Sequence, residues 1–178
     1  EAYAVGGCVR DSILGKEPYD WDITTNAKID ELKKIFPEAK VLSKKFSVIR
    51  LEYVDEIEDS AGNVIGETGI IADIATYRKE ERYEEGRLVE FAFADSVEED
   101  LPRRDFTINA IADSHNKFID MFEGREDIRK KLIRTVGDAD KRFCEDPVRM
   151  LRAVRMAAEL DFDLDISVYN SIISNRGL

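Results

Sequence analysis

Val5-Gly6-Gly7-Cys8-Val9-Arg10-Asp11, followed after a short helical stretch by Asp20-Trp21-Asp22, is the part of this sequence that decides the fold. A paired glycine closing a short apolar strand lets backbone amides approach an anion, and Arg10 stands one turn into the helix that should follow. Residues 20–24 read as a strand, whose period of two sends Asp20 and Asp22 to one face and Trp21 and Ile23 to the other. At ~3.3 Å per residue the two carboxylates stand about 6.6 Å apart, close enough to grip the same hard cations. Either feature alone is commonplace, since Gly-Gly occurs in many tight turns and Asp-x-Asp on many solvated strand edges. Together, with Arg10 between them, they describe a phosphate cradle beside a cation clamp, which suits metal-dependent phosphoryl transfer.

Two later runs complete a set of four motifs spanning nearly the whole chain: Arg103-Arg104-Asp105-Phe106-Thr107-Ile108-Asn109-Ala110-Ile111 and Glu145-Asp146-Pro147-Val148-Arg149-Met150-Leu151-Arg152-Ala153-Val154-Arg155. In that order they resemble the tRNA nucleotidyltransferases, the CCA-adding enzymes, and their poly(A) polymerase relatives. The resemblance implies an α+β fold. A polymerase-β-like nucleotidyltransferase head with a small mixed β-sheet is expected over residues 1–123. The start of an all-α neck that reads the nucleotide base is expected over 124–178, and the tRNA-binding body and tail beyond Leu178. The implied activity is template-independent transfer of CMP and AMP from CTP and ATP to the 3′ end of tRNA, with release of pyrophosphate. CC-only, A-only and poly(A) activities share the fold. A noncatalytic nucleotide or RNA sensor would share the scaffold while losing a metal carboxylate or the base-reading pair, and this sequence keeps all of them.

Asp73 is a charge inside the β-prone run Ile70-Ile71-Ala72-Asp73-Ile74-Ala75-Thr76-Tyr77. Buried without a partner it would cost several kcal/mol, so it needs a cation, a donor or water; a solubilising edge charge is the plain alternative. The resemblance, through the layout from Asp73 to Arg78, makes it the third carboxylate of the set Asp20, Asp22 and Asp73. It implies a two-metal Mg²⁺ site on Asp20 and Asp22. It also places Gly6, Gly7 and Arg10 at the nucleotide, Arg104 in contact with it, and Asp105 and Asn109 near its sugar. No protein nucleophile is required, and His115, the single histidine, sits in a polar turn.

Near the end of the chain, Pro147 suits the first position of a helix, Asp146 its N-cap, and Val148, Leu151, Val154 and Ala158 an apolar stripe. Arg149 lies three residues past Asp146, one turn away, so a carboxylate acceptor and a guanidinium donor can point the same way. Cytosine and adenine each present an amino donor next to a ring-nitrogen acceptor, whereas uracil and guanine reverse both. A mismatched base would leave polar groups unpaired at ~1–3 kcal/mol each. The resemblance assigns selection of CTP and ATP to this pair and adds Arg152 and Arg155, which otherwise read as a solvated basic stripe.

The net charge of −11 argues against a strong RNA-binding surface, although residues 1–100 carry 24 acidic and 13 basic side chains while residues 101–178 carry 14 of each. With no apolar run of membrane-spanning length and no export signal at the start, a cytoplasmic protein is expected. Cys8 and Cys144 lack metal-ligand spacing and read as free thiols. Asn26 is expected to cap a helix carrying Ile29, Leu32, Ile35 and Phe36, and a hairpin is expected across Ile49–Tyr53 and Ile70–Tyr77 with its turn at Ser60-Ala61-Gly62-Asn63. Residues 79–99 read as a mobile loop. Within them Tyr83-Glu84-Glu85-Gly86-Arg87 resembles the family's flexible-loop pattern with Glu for Asp, one residue fewer and no following proline, which keeps the CC-only reading open. From Asp105 onward a mainly helical chain is expected, with a short strand at Phe118-Ile119.

Overall fold

The computed structural model describes residues 1–58 and 64–178; the expected turn at Ser60-Ala61-Gly62-Asn63 lies outside the described residues. Its frame is a mixed seven-stranded sheet in the order β3-β4-β5-β2-β1-β8-β9. β1 (Ala2–Val5) runs antiparallel to β2 (Asp20–Thr25) with Val5 opposite Asp22, and α1 (Gly7–Ile13) fills the connection. β4 (Val48–Glu58) and β5 (Val64–Thr76) pair antiparallel, as the alternation of Ile49, Leu51 and Tyr53 requires. β5 then lies parallel to β2, and α2 (Ile29–Ile35) with β3 (Lys40–Ser43) forms part of the long connection between them. The period of two holds on β2: Trp21 and Ile23 pack into the apolar cores under α1 and α2, leaving Asp20 and Asp22 on the opposite face. The fold is α+β, built on a mixed sheet as expected.

Several local expectations change. α2 begins after Lys28, whose N–H donates to Glu31 at 2.8 Å, while Asn26 accepts from the chain's first amino group. The stretch read as a mobile loop forms a separate hairpin of β6 (Arg78–Glu84) and β7 (Arg87–Phe93), then α3 (Val97–Asp100). Its turn residues Glu85 and Gly86 both have positive φ, which suits a two-residue hairpin connection.

The helix expected from Asp105 is a short 3-10 turn at Thr107–Asn109 followed by β8 (Ile111–Ser114), paired with β1 on one side and β9 (Lys117–Asp120) on the other. Ile111 and Ala112 are both fully buried because they face opposite sides of the sheet, into two different cores.

The remainder is helical: α4 (Gly124–Lys130), α5 (Ala139–Glu145), α6 (Val148–Leu160) and α7 (Ile166–Ser174), with β10 (Leu132–Ile133) and β11 (Asp163–Leu164) joined as a short parallel pair. These helices share one core with the sheet. Cys8, Val9, Phe106, Ile108 and Ile111 pack in a single cluster with Ile128, Phe143, Ala153, Met156 and Val168. Asp127 reinforces the junction by accepting from Thr107 Oγ1 at 2.5 Å and Arg134 Nε at 3.0 Å. On α6 the expected stripe is turned outward: Val148, Leu151 and Val154 are 57%, 72% and 51% exposed, and Ala158 is exposed too. The buried positions are Arg149, Ala153 and Met156, at steps of four and three.

Candidate active site

The parallel pairing of β2 and β5 sets Asp22 directly opposite Asp73, and Asp20 one pleat earlier opposite Ile71. All three carboxylates therefore share one face of adjacent strands. Asp22 stays open to solvent, yet the protein packed around it raises its carboxyl above the usual range; Arg104 pulls the other way, and Asp20 and Asp73 add to the rise. Asp73 differs. Arg50, its cross-strand neighbour on β4, grips both of its oxygens, at 2.6 and 2.8 Å.

Gly6 joins β1 to α1 at φ +79°, a backbone state that suits glycine alone. A β-carbon there would stand 3.2 Å from Arg104 Nη1 and 3.3 Å from Asp22 Oδ2, so Gly6 is the gap through which Arg104 and Asp22 approach. Arg10 folds back beside Gly7 while bonding Asp11 at 2.8 Å and Asn109 Oδ1 at 3.0 Å. Asn109 is buried, and its amide reaches Met156 of α6.

Arg104, Asp105, Asp146, Arg149 and Arg152 line one cavity of ≈360 Å³. Arg152 bonds Asp105 Oδ2 at 2.6 Å. Asp146 accepts from the Val148 N–H at 3.0 Å and so helps cap α6, whose formal first flanking residue is Pro147. The Arg149 backbone N–H donates to the Asp146 carbonyl at 3.1 Å, but its guanidinium turns to partners other than the Asp146 carboxylate. Its Nη1 donates to Glu145 at 2.8 Å and the Arg142 carbonyl at 3.3 Å, and its Nη2 donates to Tyr83 Oη at 3.0 Å. Burial works to lower the Arg149 guanidinium, but Tyr83 and Glu145 hold it above its ordinary value. Arg155 stands outside the cavity, exposed and paired with Glu159.

Arg78, Glu80 and Tyr83 of the hairpin also line the cavity, with Phe46, Gly86, Leu88 and Arg103. Tyr83 donates to Glu80, and burial followed by that bond pushes its hydroxyl up to about 12. A β-carbon on Gly86 would lie 2.9 Å from the Pro147 ring, so the hairpin tip closes against the start of α6. Glu80 and Arg50 carried no signal in the sequence, because their placement depends on strand pairing; Tyr83 and Arg78 lay inside recognised patterns without an assigned partner. Two larger grooves, of ≈640 and ≈760 Å³, are lined by Glu17, Tyr19 and Val54 and by Ile13, Glu123 and Arg129, and neither gathers a comparable set of arginines. Both cysteines are free, Cys8 buried and Cys144 exposed, and no helix among the described residues is long and apolar enough to cross a membrane.

The whole chain aligns at 44% identity with a CCA-adding enzyme of Geobacillus thermodenitrificans, and covers 41% of that protein. Among solved structures it is similar to the CCA-adding enzyme of Bacillus stearothermophilus in complex with CTP, with TM-score 0.81 and 38% identity over all of this chain and 40% of the other. It is also similar to a tRNA nucleotidyltransferase complexed with a primer tRNA and an incoming ATP analog, with TM-score 0.72 and 34% identity over 99% of this chain and 47% of the other. The chain thus spans about two-fifths of the length of the relatives it matches. Residues 2–134 match the family described as the poly A polymerase head domain, the carboxylate face, Gly6 gap and arginine-lined cavity all fall within or against that span, and the chain belongs to this family.

Proposed function

We propose that this chain is the catalytic head and adjoining neck, divided near residue 124, of an enzyme that adds C and A to the 3′ end of tRNA from CTP and ATP. The observation that carries the reading is convergence. Arg104 belongs to the cavity that holds Asp146, Arg149 and Arg152, and through the Gly6 gap it reaches the face that bears Asp20, Asp22 and Asp73. Support also comes from relatives whose structures contain CTP, or a primer tRNA with an ATP analog. A tRNA substrate is in keeping with action in the cytoplasm.

The carboxylate face fits divalent metal. Asp20 and Asp22 project from alternate positions of one strand, and their like charges, with Asp73, crowd Asp22 in a way that a cation would relieve. With Arg50 on both oxygens of Asp73, Asp20 and Asp22 are the carboxylates that would hold the metal, with Asp73 beside them. Mg²⁺ bound there would supply an activated RNA 3′-hydroxyl and charge stabilisation for the departing pyrophosphate. Arg104 and Arg152 would offer donors to the phosphates, Asp105 in the same cavity would meet the sugar, Asn109, buried and bonded to Arg10, would stand near it, and Arg10 with Gly6 and Gly7 would hold the cradle. Arg149 is fixed from three sides; the bonds to Glu145, Arg142 and Tyr83 use three of its five donors and leave the rest for a base. Asp146 completes the acceptor–donor complement that suits cytosine and adenine.

In the full-length protein, CTP and ATP are expected to be incorporated at least about 100-fold more efficiently than UTP and GTP, and Arg149→Ala to reduce that preference by about tenfold or more. Equal use of all four nucleotides by the unaltered protein would remove the base-reading assignment.

A further inference from the structure

Asp100 ends α3 with 0% of its surface exposed, a costly position for a carboxylate unless donors meet both oxygens. Oδ1 receives Arg103 Nε and Nη2, each at 2.9 Å, and the Arg78 N–H at 3.0 Å. Oδ2 faces Arg104 Nη2 and the Thr24 hydroxyl, each at 3.5 Å. The short turn Leu101–Arg103 is what puts both guanidinia three and four residues past the acid. One carboxylate thereby ties together the strand that carries Asp20 and Asp22, the corner between β5 and β6, and both members of the Arg103-Arg104 pair.

Both arginines line the cavity, and they repel each other. Burial first, then the Arg103 charge, push the Arg104 guanidinium below its ordinary value, and Arg104 Nε is buried with no partner among the described residues. Without an acid between them, the two side chains would separate. We propose that Asp100 is a positioning residue for nucleotide binding: it holds Arg103 and Arg104 against the cavity before the triphosphate arrives. The inference rests on reading that cavity as the nucleotide site.

The test measures equilibrium CTP binding, and KM and kcat for CTP incorporation, in the full-length protein and in Asp100→Asn, Arg103→Gln, Arg104→Gln and the paired variants. Asp100→Asn is expected to weaken CTP binding and raise KM on the order of tenfold, with kcat at saturating CTP lowered less than about threefold. Added to Arg104→Gln, it should contribute less than about threefold more, because the two act as a unit. The charge-balanced pair Asp100→Asn with Arg103→Gln covers the case in which the single variant does not fold, and should bind CTP more weakly than Arg103→Gln alone. Unchanged CTP affinity in folded Asp100→Asn, or a charge-balanced pair that binds as tightly as Arg103→Gln, overturns the proposal. An unaltered protein that binds no CTP instead overturns the nucleotide-site reading, before any variant is compared.

Discussion

Gly6 is the residue at which backbone and chemistry constrain each other most tightly. Gly6→Ala would place a methyl group in a disfavoured backbone state between Arg104 and Asp22, at an expected cost of about 1–3 kcal/mol in urea denaturation. It should also weaken CTP binding, because Arg104 must move. Asp22 gives a prediction of opposite sign. Its folded carboxyl titrates above the value near 3.9 of an unfolded aspartate, so the stability it contributes is full below about pH 4 and is lost as pH rises through the folded value. Asp22→Asn should therefore raise the melting temperature in cation-free buffer near pH 7.5 and change it little below about pH 4. An unaltered melting temperature near neutrality would show that Asp22 is not electrostatically crowded.

At the scale of elements, the hairpin and α6 act on each other. Tyr83→Phe removes the hydroxyl that Glu80 and Arg149 share, and should cost about 1 kcal/mol of binding for both CTP and ATP, read as a several-fold rise in KM. The hairpin was hard to read because β6 carries Arg78, Lys79, Glu80, Glu81, Arg82 and Glu84, charges that obscure a strand until their partners are known. On α6 the sequence misled in a physical way. Val148, Leu151 and Val154 form a good apolar stripe, but the opposite face carries Arg149, Ala153 and Met156, which contact the hairpin, the core and Asn109. In this chain Leu151→Ser should change stability by no more than ~0.5 kcal/mol, whereas Met156→Ala should cost about 2–5 kcal/mol. The reverse order in denaturant unfolding would show that the helix is turned the other way.

For the molecule as a whole, the motifs were legible because each is local: Gly6 to Asp11, Asp20 with Asp22, and Asp146 with Arg149 need only a turn, a strand or a helix to take effect. Asp73 was legible as a charge inside a β-prone run that needed a partner, but its grip by Arg50 was not, since that depends on the register of β4 against β5. Asp100 was invisible because its complete burial and its bonds to Thr24 and Arg78 come from tertiary packing, although Arg103 and Arg104 lie only three and four residues on. Nor did the sequence show that the core runs unbroken from α1 to α7, because small residues such as Ala139 and Ala153 close it. The central claim is that the carboxylate face and the arginine cavity together perform ordered addition to tRNA. The direct measurement is Mg²⁺-dependent incorporation of each nucleotide into tRNA transcripts ending at the discriminator base, at C and at CC, by the full-length protein and its Asp20→Ala and Asp22→Ala variants. The account predicts C, then C, then A, abolished in both variants; addition that stops at CC would make it a partial enzyme, and no metal-dependent incorporation by the folded protein would contradict the account.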